Sequence, residues 1–320
     1  MLRGRGKREE GRVTATLKIG TRGSRLALWQ AEWVRAELAR RGVVVELVIV
    51  KTRGDADVDR SLHELEGKGF FTKEIEEALL AGRIDVAVHS LKDLPTRLPD
   101  GLALGAVPPR ADPAEALVTR LDGVVSIAEL APGGRIGTSS LRRVAQLRYL
   151  RPDLEIVPLR GNVPTRVQKV KAGRDGLDAA LLARAGLERL ELGGEIAARL
   201  DPLEVMPAPG QGALGLEVRS DDARARAALA PLEHPPSARQ VAAERSLLAA
   251  LEGGCQAPVA AYCESREQGA GSRLFGRVTA QDGTVQITAS AEIDERDPAG
   301  AGAAVAGLLR AQGASKLLGR

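Results

Sequence analysis

The chain is poor in the residues that build disulfide frameworks, metal centres and base-stacking surfaces. Its 320 residues hold two cysteines, Cys255 and Cys263, and three scattered histidines, His63, His89 and His234. Two cysteines without CxxC spacing make no disulfide scaffold and, with so few histidines, no metal set, so no metal is expected and a reducing cytoplasm is the default compartment. Two tryptophans, two tyrosines and three phenylalanines leave few rings to stack on bases. The formal charge of +4 is a small difference between 46 basic and 42 acidic side chains, so nucleic acid is not an expected partner. No apolar run approaches the ~20 residues that span a bilayer, and no membrane association is expected. The opening MLRGRGKREEGR has no apolar stretch behind its basic charges and reads as a disordered tail, not a secretory signal. Nucleotide fingerprints are missing too. EGKGFF lacks the spacing and hydroxyl of a phosphate loop. GQGALG (210–215) follows two prolines and precedes a strand, whereas a dinucleotide turn follows a strand and opens a helix. It reads instead as a close backbone approach where two lobes meet.

What the chain does have is alternating strand and helix. VVVELVIV (43–50) is a β-branched run of the kind found in parallel strands buried on both faces. Before it, SRLALWQAEWVRAELARRG places Leu26, Trp29, Trp33 and Leu38 near helical spacing behind Ser24 as N-cap. TKEIEEALLAG reads as a helix and IDVAVHS as a strand. A second such unit runs through RIGTSS, LRRVAQLRYL, LEIVPLRG, TRVQKVKAG and LDAALLA, after which LGLEVR is a strand able to return to the first sheet. Behind these come a helix over ARQVAAERSLLAALEGG, a hairpin centred on Asp282-Gly283 and an alanine-rich helix near 299–311. The expected division is a tail over 1–14, an α/β lobe over 15–113 completed by 206–231, a second α/β lobe over 114–205 and an α+β domain over 232–320.

Between Arg135 and Arg166 the chain holds seven arginines and no lysine. Arg148 and Arg151 read as cations of a surface helix. Arg142 and Arg143 lie one turn inside a helix opened by GTSS, and Arg160 and Arg166 flank the strand-to-helix turn LRGNVPTR, where guanidinium forks suit carboxylate or phosphate. VAVHSLKDLP ends a buried strand with Ser90, Lys92 and Asp93, at the strand end where open α/β sheets bind ligands. Asp93 there is either half of a loop ion pair or a group that orients a substrate N–H and stabilises a cation. His89 reads as a buried ring with one hydrogen bond. TRGSRLA adds Arg22 and Ser24 as a further anion-binding corner. Cys255 follows a helix end, whose partial negative charge disfavours a nucleophilic thiolate. Two readings stay open for it: an inert buried thiol, or a tether on a glycine-rich loop.

In this order, TRGSRLA, TRGD, GKGFFTKEIE, VHSLKDLP, GTSSLRR, LRGNVPTR, PAPGQGALG and ERSLLAALEGGCQAPVA resemble the porphobilinogen deaminase (hydroxymethylbilane synthase) family, from Leu17 to the C-terminus and only in general pattern after Ala261. The resemblance implies two periplasmic-binding-protein-like lobes around a cleft and a small α+β C-terminal domain, as a cytoplasmic monomer. It implies a transferase of tetrapyrrole and heme biosynthesis that deaminates four porphobilinogen molecules and joins them head to tail on a dipyrromethane cofactor. That cofactor would be held through a thioether to Cys255, and hydrolysis would release hydroxymethylbilane. Asp93 matches the catalytic aspartate. Lys92, Ser90, Thr138, Ser140, Arg142, Arg143, Asn162 and Arg166 match cofactor-binding positions, and Arg22, Ser24, Arg160, Arg189 and Gln211 substrate-binding ones. HELEGKGFF would be a mobile cover. Two positions depart from the family pattern. His63-Glu64 stands where a lysine is usual, with Lys68 a weak substitute, and Pro164 replaces a smaller or polar residue. The rival reading of the residues is a non-catalytic two-lobe protein that binds small anions.

Overall fold

The computed structural model describes residues 16–52, 72–251, 257–265 and 272–319. In chain order the first elements are β1 (Leu17–Thr21), α1 (Arg25–Ala39), β2 (Val45–Ile49), α2 (Lys73–Leu80), β3 (Val86–Ser90) and β4 (Leu102–Ala106). Ser24 starts α1 by accepting a hydrogen bond from the Ala27 amide at 3.3 Å, which satisfies one of the amides a helix start leaves open. The buried stripe of α1 is Ala27, Gln30, Ala31, Val34 and Leu38. This turns the helix away from the expected phase and leaves Trp29 at 36% exposure. Small alanines let α1 sit close on the sheet, and the indole, too large for that gap, goes to the rim. VVVELVIV also departs from expectation. Among the described residues β2 is an edge strand paired only with β1, and Ile49 is 59% exposed.

The chain then crosses to β5 (Glu115–Thr119), β6 (Arg135–Gly137), α3 (Leu141–Leu150), β7 (Glu155–Val157), α4 (Val163–Lys171), β8 (Ala179–Ala183), α5 (Arg184–Arg189) and β9 (Ala198–Arg199). It crosses back to β10 (Leu214–Arg219) and α6 (Ala223–Leu229). The first sheet has the order β2-β1-β3-β10-β4 and the second β7-β6-β8-β5-β9. Each has three parallel strands followed by one antiparallel strand that has just crossed from the other lobe: β10 against β3 and β5 against β8. Separate apolar cores, around Ile19, Val88 and Leu216 in one lobe and Ile136, Leu147 and Leu181 in the other, make the lobes distinct bodies joined by two crossing segments.

The crossing segments touch through glycine. Gly212 has φ +84°, and a Cβ there would stand 2.4 Å from the Ala111 carbonyl oxygen of the other segment. The same two residues are bonded, Ala111 N–H to Gly212 O at 3.2 Å. GQGALG is thus a backbone crossing, with no helix opening on it. The remainder is α7 (Pro235–Ala250), an antiparallel sheet of β11 (Val259–Ser265), β12 (Ser272–Thr279) and β13 (Gln286–Ile293), then α8 (Pro298–Ala311) and α9 (Ala314–Leu317). Leu247, Leu274, Val305 and Leu309 centre its core. The β12–β13 turn carries Gly283 at φ +78°, the backbone that Asp-Gly pairs favour. No helix among the described residues is long and apolar enough to cross a membrane.

Candidate active site

The parallel strands of both lobes end at the same kind of place, a carboxyl edge followed by a polar loop. Beyond β3, Leu91–Asp93 forms one 3-10 turn, closed by Leu94 N–H on Leu91 O at 3.2 Å. It is held from the crossing segment by Leu91 N–H on Ala213 O at 3.0 Å and by Lys92 Nζ on Gln211 Oε1 at 3.3 Å. Gln211 is itself buried and fixed by its amide on the Pro113 carbonyl at 2.7 Å. Asp93 ends the turn exposed. Ser90 accepts a hydrogen bond from buried Gln30 at 2.8 Å. Below, His89 Nε2 meets Glu217 at 3.1 Å, buried from solvent.

In the second lobe, the loop after β6 is sewn to the loop after β7 by Ser139, whose hydroxyl donates to Leu159 O at 3.0 Å and accepts from Leu159 N–H at 3.1 Å. Thr138 is buried, its hydroxyl accepting from the Ser140 amide at 3.2 Å, and Ser140 stands at the N-cap of α3. Asn162 caps α4 through the Thr165 amide at 2.9 Å. Pro164 sits in the first turn of α4, where a missing N–H costs nothing and a fixed φ helps.

Arg142 and Arg143 are buried on Glu115. Arg142 Nη2 reaches Oε1 at 2.5 Å, while Arg143 holds both oxygens at 3.0 and 2.7 Å. Arg142 also donates to Met206 O at 2.6 Å. Burial alone would raise the Glu115 carboxyl, but the two guanidiniums outweigh it and bring it down to about 2. Sequence reasoning passed over Glu115, although a lone acid inside the apolar strand EALVT signals a buried cationic partner. Gln30, a buried amide on an apolar helix face, was passed over as well.

The two lobes bring their charges together. Burial lowers the Lys92 ammonium to about 8, against the pull of Asp93 and with Arg143 and Arg142 pushing the same way. Burial likewise lowers Arg166 to about 10, with Arg143 and Arg160 adding to it and Asp93 opposing. Arg166 Nε is anchored on Gly161 O at 2.7 Å. Lys92, Arg142, Arg143, Arg160 and Arg166 therefore share one electrostatic neighbourhood in which, among the described residues, Asp93 and Glu115 are the counter-charges that act on Lys92 and Arg166. Such a desolvated surplus of cations is complementary to a polyanion.

Other expected residues lie around this centre. Arg22 and Ser24 occupy the β1–α1 corner, Arg22 half-buried. Arg189 is buried between the lobes, donating to Gly212 O at 2.7 Å and lying 5.7 Å from the Trp29 ring centroid. Arg148 and Arg151 serve structure: Arg148 donates to Gln281 O at 2.8 Å, and Arg151 binds Asp153 and the Leu130 carbonyl. Cys255, His63, Glu64, Lys68 and the HELEGKGFF segment lie outside the described residues. Cys263 is buried, and burial, with Glu244 adding, pushes its thiol well up.

The family model described as porphobilinogen deaminase, dipyromethane cofactor binding domain, matches residues 17–227, and that of the porphobilinogen deaminase C-terminal domain matches residues 238–311. The chain is 48% identical over 304 residues to the porphobilinogen deaminase of Moorella thermoacetica, covering 94% of this chain and 95% of that protein. It is 48% identical over 307 residues to that of Geobacter metallireducens, covering 94% and 93%. Among solved structures it is similar to a periplasmic substrate-binding protein of an ABC transporter from Coxiella burnetii, at 13% identity and a TM-score of 0.42 over 72% of this chain and 96% of that one. The chain belongs to the porphobilinogen deaminase family.

Proposed function

We propose that this protein is a transferase that deaminates porphobilinogen and joins four units head to tail on a covalently held dipyrromethane, then releases hydroxymethylbilane by hydrolysis. The observation that carries this reading is the surplus of buried and half-buried cations gathered around Asp93 from the two lobes. The residues present fit the cofactor: its acetate and propionate groups are anions that suit a cluster in which Lys92, Arg142, Arg143, Arg160 and Arg166 outnumber Asp93 and Glu115, and Ser90, Thr138, Ser140 and Asn162 add polar groups at the same strand ends. Cys255 is the proposed thioether ligand. When bound, dipyrromethane supplies an anchored primer with a free nucleophilic pyrrole carbon.

The chain's own residues do the rest. Arg22, Ser24, Arg160, Arg189 and Gln211 bind the carboxylates of the incoming substrate, each charge-assisted bond contributing about 1.5–3 kcal/mol net. Asp93 accepts the substrate's pyrrole N–H. As the aminomethyl C–N bond breaks and ammonia departs, that carboxylate stabilises the positive charge spreading onto the ring, then takes up the proton lost when the new C–C bond restores aromaticity. The enzyme is proposed to act as a cytoplasmic monomer that binds no nucleic acid. Its lobes are assigned as 15–113 with 206–231 and as 114–205, with the C-terminal domain at 232–320.

Intact mass and turnover test the reading together. Wild-type protein is expected to carry the added mass of two linked pyrroles, and Cys255→Ser to carry none. Asp93→Ala is expected to keep the added mass while losing at least about 100-fold in kcat, the scale of one acid–base group. A chain that binds porphobilinogen without ever gaining mass or releasing ammonia would instead be an anion-binding protein.

A further inference from the structure

The turn that carries Asp93 is short and leaves that residue exposed, and the contacts described above hold it from one side, the crossing segment. Its other side is held by the C-terminal domain. Arg245, on α7, donates from Nη1 to Leu94 O at 2.9 Å and from Nη2 to Pro95 O at 2.6 Å. These are the two carbonyls immediately after Asp93, and the planar guanidinium fork spans both at once, which an ammonium does not do. The preceding residue ties the same turn of helix to the rest of the molecule. Glu244 accepts both Arg110 guanidinium nitrogens at 2.8 and 2.9 Å, the Gly210 amide at 2.7 Å and the Cys263 amide at 2.9 Å. Arg110 and Gly210 belong to the two crossing segments, so the helix bearing Arg245 has a fixed position relative to both lobes.

We propose that Arg245 is a positioning residue for Asp93: through the Leu94 and Pro95 carbonyls it sets where the carboxylate stands in the cleft, so that the C-terminal domain governs the geometry of the reacting centre. This rests on the assignment of Asp93 made above. Arg245 has no need to touch the substrate, because its fork is turned to the main-chain carbonyls that follow Asp93. The surroundings make the point testable by substitution. Arg245 borders a cavity of about 400 Å³ between β4 and α7, lined also by Leu104, Val107, Ala238 and Val241, so a shorter side chain enlarges an existing space and overpacks nothing.

The experiment compares Arg245→Met, Arg245→Lys and Asp93→Ala as full-length, cofactor-loaded enzymes, reading kcat, KM for porphobilinogen and amide exchange by peptide. Arg245→Met is expected to lose about 10- to 100-fold in kcat, the scale of a small misplacement of a reacting group. Its KM should stay within about twofold, because the carboxylate-binding arginines are untouched, and exchange should quicken over residues 92–98 alone. Arg245→Lys, which replaces one of the two hydrogen bonds, is expected to regain part of the lost kcat. An unchanged kcat in Arg245→Met overturns the proposal. So does a loss that lysine fails to relieve and that comes with faster exchange throughout the C-terminal domain, the mark of a general packing role. The Asp93→Ala control separates the two assignments. If it keeps full turnover, the catalytic role of Asp93 fails, and the exchange over 92–98 then judges the Arg245 contact by itself.

Discussion

Lys92 holds its ammonium half-buried between Gln211 and the buried arginines, at a pKa of about 8. Because the folded value lies below that of an unfolded lysine, the folded chain binds fewer protons between about pH 8 and pH 10, and this group adds stability as pH rises through that window. Its contribution to anion binding runs the other way, since charge is lost over the same range. The pH profile of kcat/KM is therefore expected to show an alkaline limb at or above pH 8, bound carboxylates moving it upward by favouring the ammonium. In Lys92→Arg, whose guanidinium stays charged, that limb should vanish, and an unchanged limb would assign it to another group. At this scale the sequence was informative about position: VHSLKDLP places Ser90, Lys92 and Asp93 at the end of a buried strand, which is where β3 and the turn after it hold them. It was uninformative where partners meet only in space. Glu115 lies 27 and 28 positions from the arginines that neutralise it, and Arg245 lies 151 and 150 from the carbonyls it holds.

The elements were easier to place than their faces. Helix α1 was plain from its periodicity and its Ser24 cap, yet its apolar residues allowed two phases, and packing chose the one that buries alanine and valine while Trp29 goes to the rim. β2 has the composition of a central strand and stands at an edge, because neighbours in a sheet are set by topology and not by the strand's own residues. The crossing element was legible from its glycines and prolines, and there the backbone requirement is sharp. Gly212→Ala adds a methyl 2.4 Å from the Ala111 oxygen at a φ of +84°. The expected cost is about 2–4 kcal/mol from combined overpacking and left-handed strain, read as a lower denaturation midpoint together with reduced turnover. A variant as stable and active as wild type would show that the two segments can part without cost. Gly212 thus serves a close approach of two segments, a different use of glycine from the phosphate-binding turn that GQGALG imitates in sequence.

On the scale of the molecule, one buried carboxylate joins the C-terminal domain to both segments that cross between the lobes. Glu244 is wholly buried and accepts four hydrogen bonds, from Arg110, the Gly210 amide and the Cys263 amide. Arg110 adds a bond from Nε to Gln211 O at 2.8 Å. Burial lowers the Arg110 guanidinium and Glu244 more than offsets it, so the cation is held at the junction by this one acid. Glu244→Gln keeps an acceptor oxygen but turns an NH2 toward donors and leaves Arg110 charged and uncompensated. Breaking one side of a buried pair costs about 3–5 kcal/mol. The lobes and the C-terminal sheet have their own cores, so the loss should fall on docking between them. Scanning calorimetry of Glu244→Gln is expected to divide the unfolding of the wild-type chain into separate transitions, with the earliest one lowered in temperature. Pairing it with Arg110→Met removes the stranded charge and should recover part of the loss, although the two amides remain poorly matched. If Glu244→Gln unfolds as wild type does, the junction is held by its apolar contacts. In that case Arg245 would keep its hold on the Asp93 turn without Glu244.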